Sequence, residues 1–231
     1  MISKLGILFL LNNNYSGSIP QVVGMMRSLT QLDLSSNFLI GPIPSSSIGN
    51  LSELQQLYLY SNSLSSSIPE ELGLLKHLWA LQLLNNDLTG PIPTTIGNLT
   101  KLITLDLSKN ELSGSIPAPI GHLAALSILS LNGNQLFGSI PSTIGNLTML
   151  TKLVLMMNKL SGSIPVEMNN LTSLISLQLF DNNFIGHLPP QICKTRTLVT
   201  FATTNNHFTG PIPKSLKNAV VSFGFGLMET I

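Results

Sequence analysis

The stretch LDLSKNELSGSIP, residues 105–117, decides how the chain folds. Leu105 and Leu107 alternate with polar residues, Asn110 follows, and Leu112, Gly114, Ile116 and Pro117 close the segment. In both directions the same form returns, L-x-L-x-x-N-x-L-x-G-x-I-P: LDLSSNFLIGPIP at 32–44, LQLLNNDLTGPIP at 81–93, LSLNGNQLFGSIP at 129–141, LVLMMNKLSGSIP at 153–165 and, with variations, LQLFDNNFIGHLP at 177–189. The asparagine recurs at Asn13, Asn37, Asn62, Asn86, Asn110, Asn134, Asn158, Asn182 and Asn206. Every step is 24 residues except Asn37 to Asn62, which is 25, the extra residue falling in Ser45-Ser46-Ser47.

Each fixed position has a physical reading. L-x-L puts both leucines on one side of a short strand and the x residues on the other. A single such strand cannot bury its apolar face, but stacking one per turn builds a parallel sheet over a continuous core. The asparagine falls where the chain leaves the strand, where its amide can bond backbone groups of its own and adjacent coils. The glycine four residues on allows a positive φ or a close backbone approach. The I-P pair sends a branched side chain inward and fixes φ. The connecting I-G-N-L-T-x-L fits a short helical or 3-10 segment, with Gly49, Gly97, Gly121 and Gly145 expected to interrupt any longer helix.

Composition narrows the chemistry. Of 231 residues, 43% are hydrophobic and only 9% charged, with a formal net charge of +1, which argues against a basic nucleic-acid surface. Lys194, Arg196, Lys214 and Lys217 read as a solvated face. No window reaches the ~18 uninterrupted apolar residues of a membrane span. The single cysteine, Cys193, excludes a disulfide within the chain. His77, His122, His187 and His207 fall at unrelated repeat phases and in no H-E-x-x-H pattern; neither a G-x-S-x-G elbow nor a kinase loop is present. No catalytic residue, metal ligand or cofactor is therefore assigned.

The repeat resembles the plant-type leucine-rich repeat family, whose mark is the second half of the motif, L-x-G-x-I-P. That resemblance implies a leucine-rich-repeat solenoid of the α/β repeat class. About nine coils would carry a parallel β-sheet on the concave face and short 3-10 or helical segments on the convex side. At ~4.8 Å between strands such a sheet spans roughly 40 Å. The chain is most similar to ectodomains of leucine-rich-repeat receptor-like kinases that sense secreted peptides, above all over LPPQICKTRTLVTFATTNNHFTGPIPKSLKN, 188–218. In those receptors a second cysteine commonly follows about one repeat after the Q-I-C cysteine, whereas here Asn218 is followed by Ala219.

Both ends read as repeat. Projected back from Asn13, the template places Ile2, Leu5, Leu8 and Leu10 inward, so MISKLGILFLLNNN (1–14) is read as a first repeat strand rather than a leader. Residues 1–218 form the repeat region. Residues 219–231 read as a degenerate, uncapped C-terminal repeat with Phe225 and Leu227 in the strand positions. With neither of the family's paired-cysteine caps, the expectation is a truncated ectodomain without a leader or anchor of its own. Its parent would stand at the extracellular face of the plasma membrane or in the cell wall.

Candidate binding residues are the outward x positions of the strands. Tyr58, Tyr60, Leu84, Val154, Met156, Met157 and Phe180 are apolar or aromatic where a merely soluble sheet prefers polar residues. Gln82, Asp106, Ser130 and Gln178 would pair with the polar groups of an extended peptide. The expected partners are a secreted peptide or protein and, along one side, a leucine-rich-repeat co-receptor. A soluble secreted inhibitor of cell-wall-degrading enzymes is the alternative. Five N-x-[ST] sequons, at Asn14, Asn50, Asn98, Asn146 and Asn170, are glycosylation candidates. The last four share one repeat phase, away from the strands.

Overall fold

Leu105 and Leu107 are fully buried, while Thr104 and Asp106 beside them are half-buried on the opposite side of the strand. The computed structural model describes residues 4–192, 194 and 197–218. Ile2, Cys193, Arg196 and the expected last strand within 219–231 lie outside the described residues. The strand Thr104–Asp106 returns once per coil, at Ile7–Phe9, Gln31–Asp33, Gln56–Tyr58, Ala80–Gln82, Ile128–Ser130, Lys152–Val154, Ser176–Gln178 and Thr200–Ala202. These nine strands make one parallel sheet in unbroken chain order. Leu57, Leu81, Leu105, Leu129, Leu153 and Leu177 stand opposite one another in its register and are all fully buried.

The asparagines bind coil to coil. Asn110 Nδ2 donates to the carbonyls of Leu107 and Ser108 in its own coil and of Leu83 in the coil before, each at 3.1 Å. Its Oδ1 accepts from the Leu88 amide at 3.1 Å. Asn62, Asn86, Asn134, Asn158, Asn182 and Asn206 repeat the donor pattern onto the coil before. The residue before each asparagine is left-handed, from Asn12 and Ser36 to Met157 and Asn205, which turns the chain off the strand in a single step.

In most coils the residue after the asparagine begins a second set of parallel strands, which runs along the flank. Five strands, Ser16–Gly17, Phe38–Gly41, Ser63–Ser67, Asp87–Pro91 and Glu111–Ser113, form one sheet. Phe137–Gly138, Lys159–Gly162, Asn183–Gly186 and His207–Phe208 form another. The motif glycine takes a positive φ here, 78° at Gly114, as expected from its position. One coil has no glycine at this phase, and Ser66 is held at φ 70°. Ser66→Gly is therefore expected to raise unfolding stability by about 1 kcal/mol, read from the urea midpoint at unchanged slope.

The connecting segments are five-residue 3-10 helices, such as Thr94–Asn98, Ala118–His122 and Ser142–Asn146, each entered from an extended proline. Where the extra residue enters, Ser45–Ile48 widens into a single α-helical turn. As expected, no longer helix forms here, and Gly97, Gly121 and Gly145 are the fourth residues of these short helices. Their purpose is close stacking, because a Cβ on Gly121 would sit 2.6 Å from the Cβ of Thr143 in the next coil. In the last coils Phe184 and Phe208 replace the core leucine and stack at 6.1 Å.

Candidate functional site

The nine-stranded sheet turns three columns of side chains outward, because alternate residues of every strand share a face. In the middle column the register aligns Phe9, Asp33, Tyr58, Gln82, Asp106, Ser130, Val154, Gln178 and Ala202. Two residues further along the chain come Leu11, Ser35, Tyr60, Leu84, Ser108, Asn132, Met156, Phe180 and Thr204. The parallel ladder holds these columns at fixed spacing whatever the side chains are. The fold thus supplies a rigid frame and the sequence supplies its chemistry.

The expected residues do share this face, but not all of them reach solvent. Tyr58, Tyr60, Gln82, Leu84, Asp106, Met156, Gln178 and Phe180 are half-buried, each offering part of its surface. Ser130 and Val154 are corrections, at 5% and 4% exposure. They stand in adjacent strands at mid-sheet, each with a paired strand on both sides. Tyr58 and Tyr60 form a tilted aromatic pair with ring centroids 6.5 Å apart. Burial first, then the charge of Asp33 and the neighbouring Tyr60, hold the Tyr58 phenol above its ordinary pKa.

Some polar groups are already engaged. Asp106 Oδ1 accepts from the amide of Ser108 at 3.0 Å and from its hydroxyl at 2.6 Å. Asp33 makes the same pair of bonds with Ser35. Gln178 Nε2 donates to Ser176 at 3.2 Å. These intra-coil bonds fix the carboxylates and the amide before any ligand arrives.

Ile7, Phe9 and Leu11 were absent from the expected site, yet they are 51%, 52% and 40% exposed on the first strand of the same sheet. The signal was present, since placing Leu8 and Leu10 inward places their neighbours outward. Met157, 54% exposed, stands at the left-handed turn position beside the sheet. The sequon asparagines Asn14, Asn50, Asn98, Asn146 and Asn170 are all exposed. Asn98, Asn146 and Asn170 end 3-10 helices on the connecting segments. Among the described residues no helix is long and apolar enough to cross a membrane.

A model of the leucine rich repeat family matches residues 27–88 and 91–136. The crystal structure of a TDR receptor is similar at 38% identity and a TM-score of 0.90, over 91% of this chain and 36% of that one. The ectodomain of the Arabidopsis receptor kinase HAESA, solved in complex with an N-terminally extended IDA peptide hormone ligand, is 42% identical with a TM-score of 0.84, over 89% of this chain and 35% of its own. A plant ice-binding protein is 30% identical with a TM-score of 0.70, over 90% of this chain and 74% of its own. The chain spans about a third of the length of the two receptor chains. No curated protein matches it.

Proposed function

Because the chain belongs to the leucine-rich repeat family, we propose that it is a recognition module, the ligand-sensing part of the ectodomain of a cell-surface leucine-rich-repeat receptor-like kinase. The observation that carries this reading is the outward face of the nine-stranded sheet. Tyr58, Tyr60, Leu84, Met156 and Phe180 offer partly exposed apolar surface there, on a frame that a ligand need not order. The likeness to peptide-hormone receptor ectodomains supports it further, and kinase signalling belongs to residues beyond these repeats. An extended peptide lying across the strands would set its apolar side chains on the aromatics and its amides against Gln82 and Gln178.

Glycans at Asn50, Asn98, Asn146 and Asn170 would sit on the connecting segments, off the strands, and leave the sheet open. A co-receptor would meet one side of the solenoid. Nothing on the sheet favours the alternative, an inhibitor of cell-wall-degrading enzymes. The solenoid is also shared with an ice-binding protein, so the fold does not choose the ligand; the outward side chains do.

Selection from a random displayed-peptide library on the immobilised 231-residue chain tests the reading. Peptides it enriches are expected to lose affinity about a hundred-fold on the combined Tyr58→Ser, Tyr60→Ser, Phe180→Ser variant, in line with aromatic anchors worth about 1 kcal/mol each. Unchanged affinity would place binding elsewhere.

A further inference from the structure

We propose that the first coils of the sheet hold a cation subsite, built on Asp33 and flanked by the aromatic residues Phe9 and Tyr58, that takes an arginine side chain of the bound peptide. It rests on the reading of the sheet as a peptide-binding face and says what chemistry one end of that face selects.

Asp33 is 7% exposed and stands in register between Phe9 on one side and Tyr58 on the other. Tyr60 follows Tyr58 on the same face, in line with Ser35: the amide of Leu34 donates to the Tyr58 carbonyl and that of Ser36 to the Tyr60 carbonyl. Asp33 Oδ1 is occupied by the Ser35 amide, at 2.9 Å, and by the Ser35 hydroxyl. Those two bonds pin the carboxylate and leave its second oxygen to the ligand. Among the described residues the one ion pair is His77 with Glu53, at 4.0 Å, so no cation among them answers Asp33.

A carboxylate largely shut away from water and flanked in register by two aromatic residues favours a cation that can make both contacts at once. Guanidinium suits this site better than ammonium. Its plane stacks on a ring while an edge N–H reaches the open carboxylate oxygen, and it is the more weakly hydrated ion. The Tyr58 phenol, held above its ordinary pKa, is neutral at pH 7 as any phenol is, so it adds no competing negative charge. Asp106 supplies an internal control. It repeats the bonds to a serine two residues on, but its neighbours in register are Gln82 and Ser130, with no ring on either side.

The test uses the 231-residue chain with isotope-labelled tyrosine rings, titrated with N-acetyl-arginine amide and with its neutral isostere N-acetyl-citrulline amide. The arginine derivative is expected to move the Tyr58 and Tyr60 resonances saturably and to bind about ten-fold more tightly than citrulline. Asp33→Asn keeps the oxygen that Ser35 uses and should erase that preference, whereas Asp106→Asn should leave it intact. Equal binding of citrulline, a preference that survives Asp33→Asn, or silent tyrosines would overturn the subsite. Glycine amide binding as well as the arginine derivative would also overturn it, the site then taking a chain terminus. Library peptides that depend on Phe180 but carry no cation would sink the subsite and leave the peptide-binding reading standing. Arginine binding at Asp33 without any sheet-dependent peptide would do the reverse.

Discussion

Asn110→Ala is expected to lower unfolding stability by about 2–3 kcal/mol, and Asn110→Asp by about 3–5 kcal/mol at neutral pH. The geometry sets this order. The strand carbonyls are doubly served: Leu107 O accepts from Asn110 and also from Asn134 of the next coil, and Leu83 O from Asn86 and Asn110. Removing one asparagine leaves each with a partner. The Leu88 amide has no such reserve, since it bonds Asn110 Oδ1, and alanine orphans it in a buried place. Aspartate keeps that acceptor but aims a carboxylate at the Leu83 and Leu107 carbonyl oxygens, which raises its pKa in the folded state. The penalty of Asn110→Asp should therefore be small well below pH ~4 and grow as pH rises through and above that value. Urea unfolding across pH distinguishes the two variants; a pH-independent penalty for Asn110→Asp would contradict the buried carboxylate.

Gly121→Ala is expected to cost about 2–3 kcal/mol, far more than an alanine usually does at a position with an ordinary φ. The new Cβ meets the backbone of Thr143, which cannot retreat without parting two coils that the nine-stranded sheet holds together on the opposite side. The chain carries its own version of this substitution. Asn169 stands at the same phase, its Oδ1 has no hydrogen-bond partner, and in the next coil Pro190, Gln191 and Ile192 are in turns instead of a 3-10 helix. Thermal unfolding of Gly121→Ala beside Gly114→Ala separates stacking from backbone strain, because Gly114 has φ 78° and more room around a Cβ. If Gly121→Ala melted with the unsubstituted protein, close stacking would not be what this glycine serves.

The sequence alone determined what recurs. The period, the strand leucines, the asparagine ladder, the inward Ile of I-P and the exposed phase of the sequons could all be read directly. Each coil meets near-copies of itself, so 24 residues of pattern already contain nearly every contact. The left-handed residue before each asparagine escaped that reading, because Ser36, Lys109 and Met157 share no side-chain chemistry that announces it.

What only the tertiary structure decided lies across the coils. Alternation shows which face Ser130 and Val154 occupy, but their burial depends on the side chains in the strands on either side. It likewise placed Asp33 and Tyr58 outward without bringing them together. Lateral register set that carboxylate between Phe9 and Tyr58, and register is a property of stacked strands, not of any one stretch of chain.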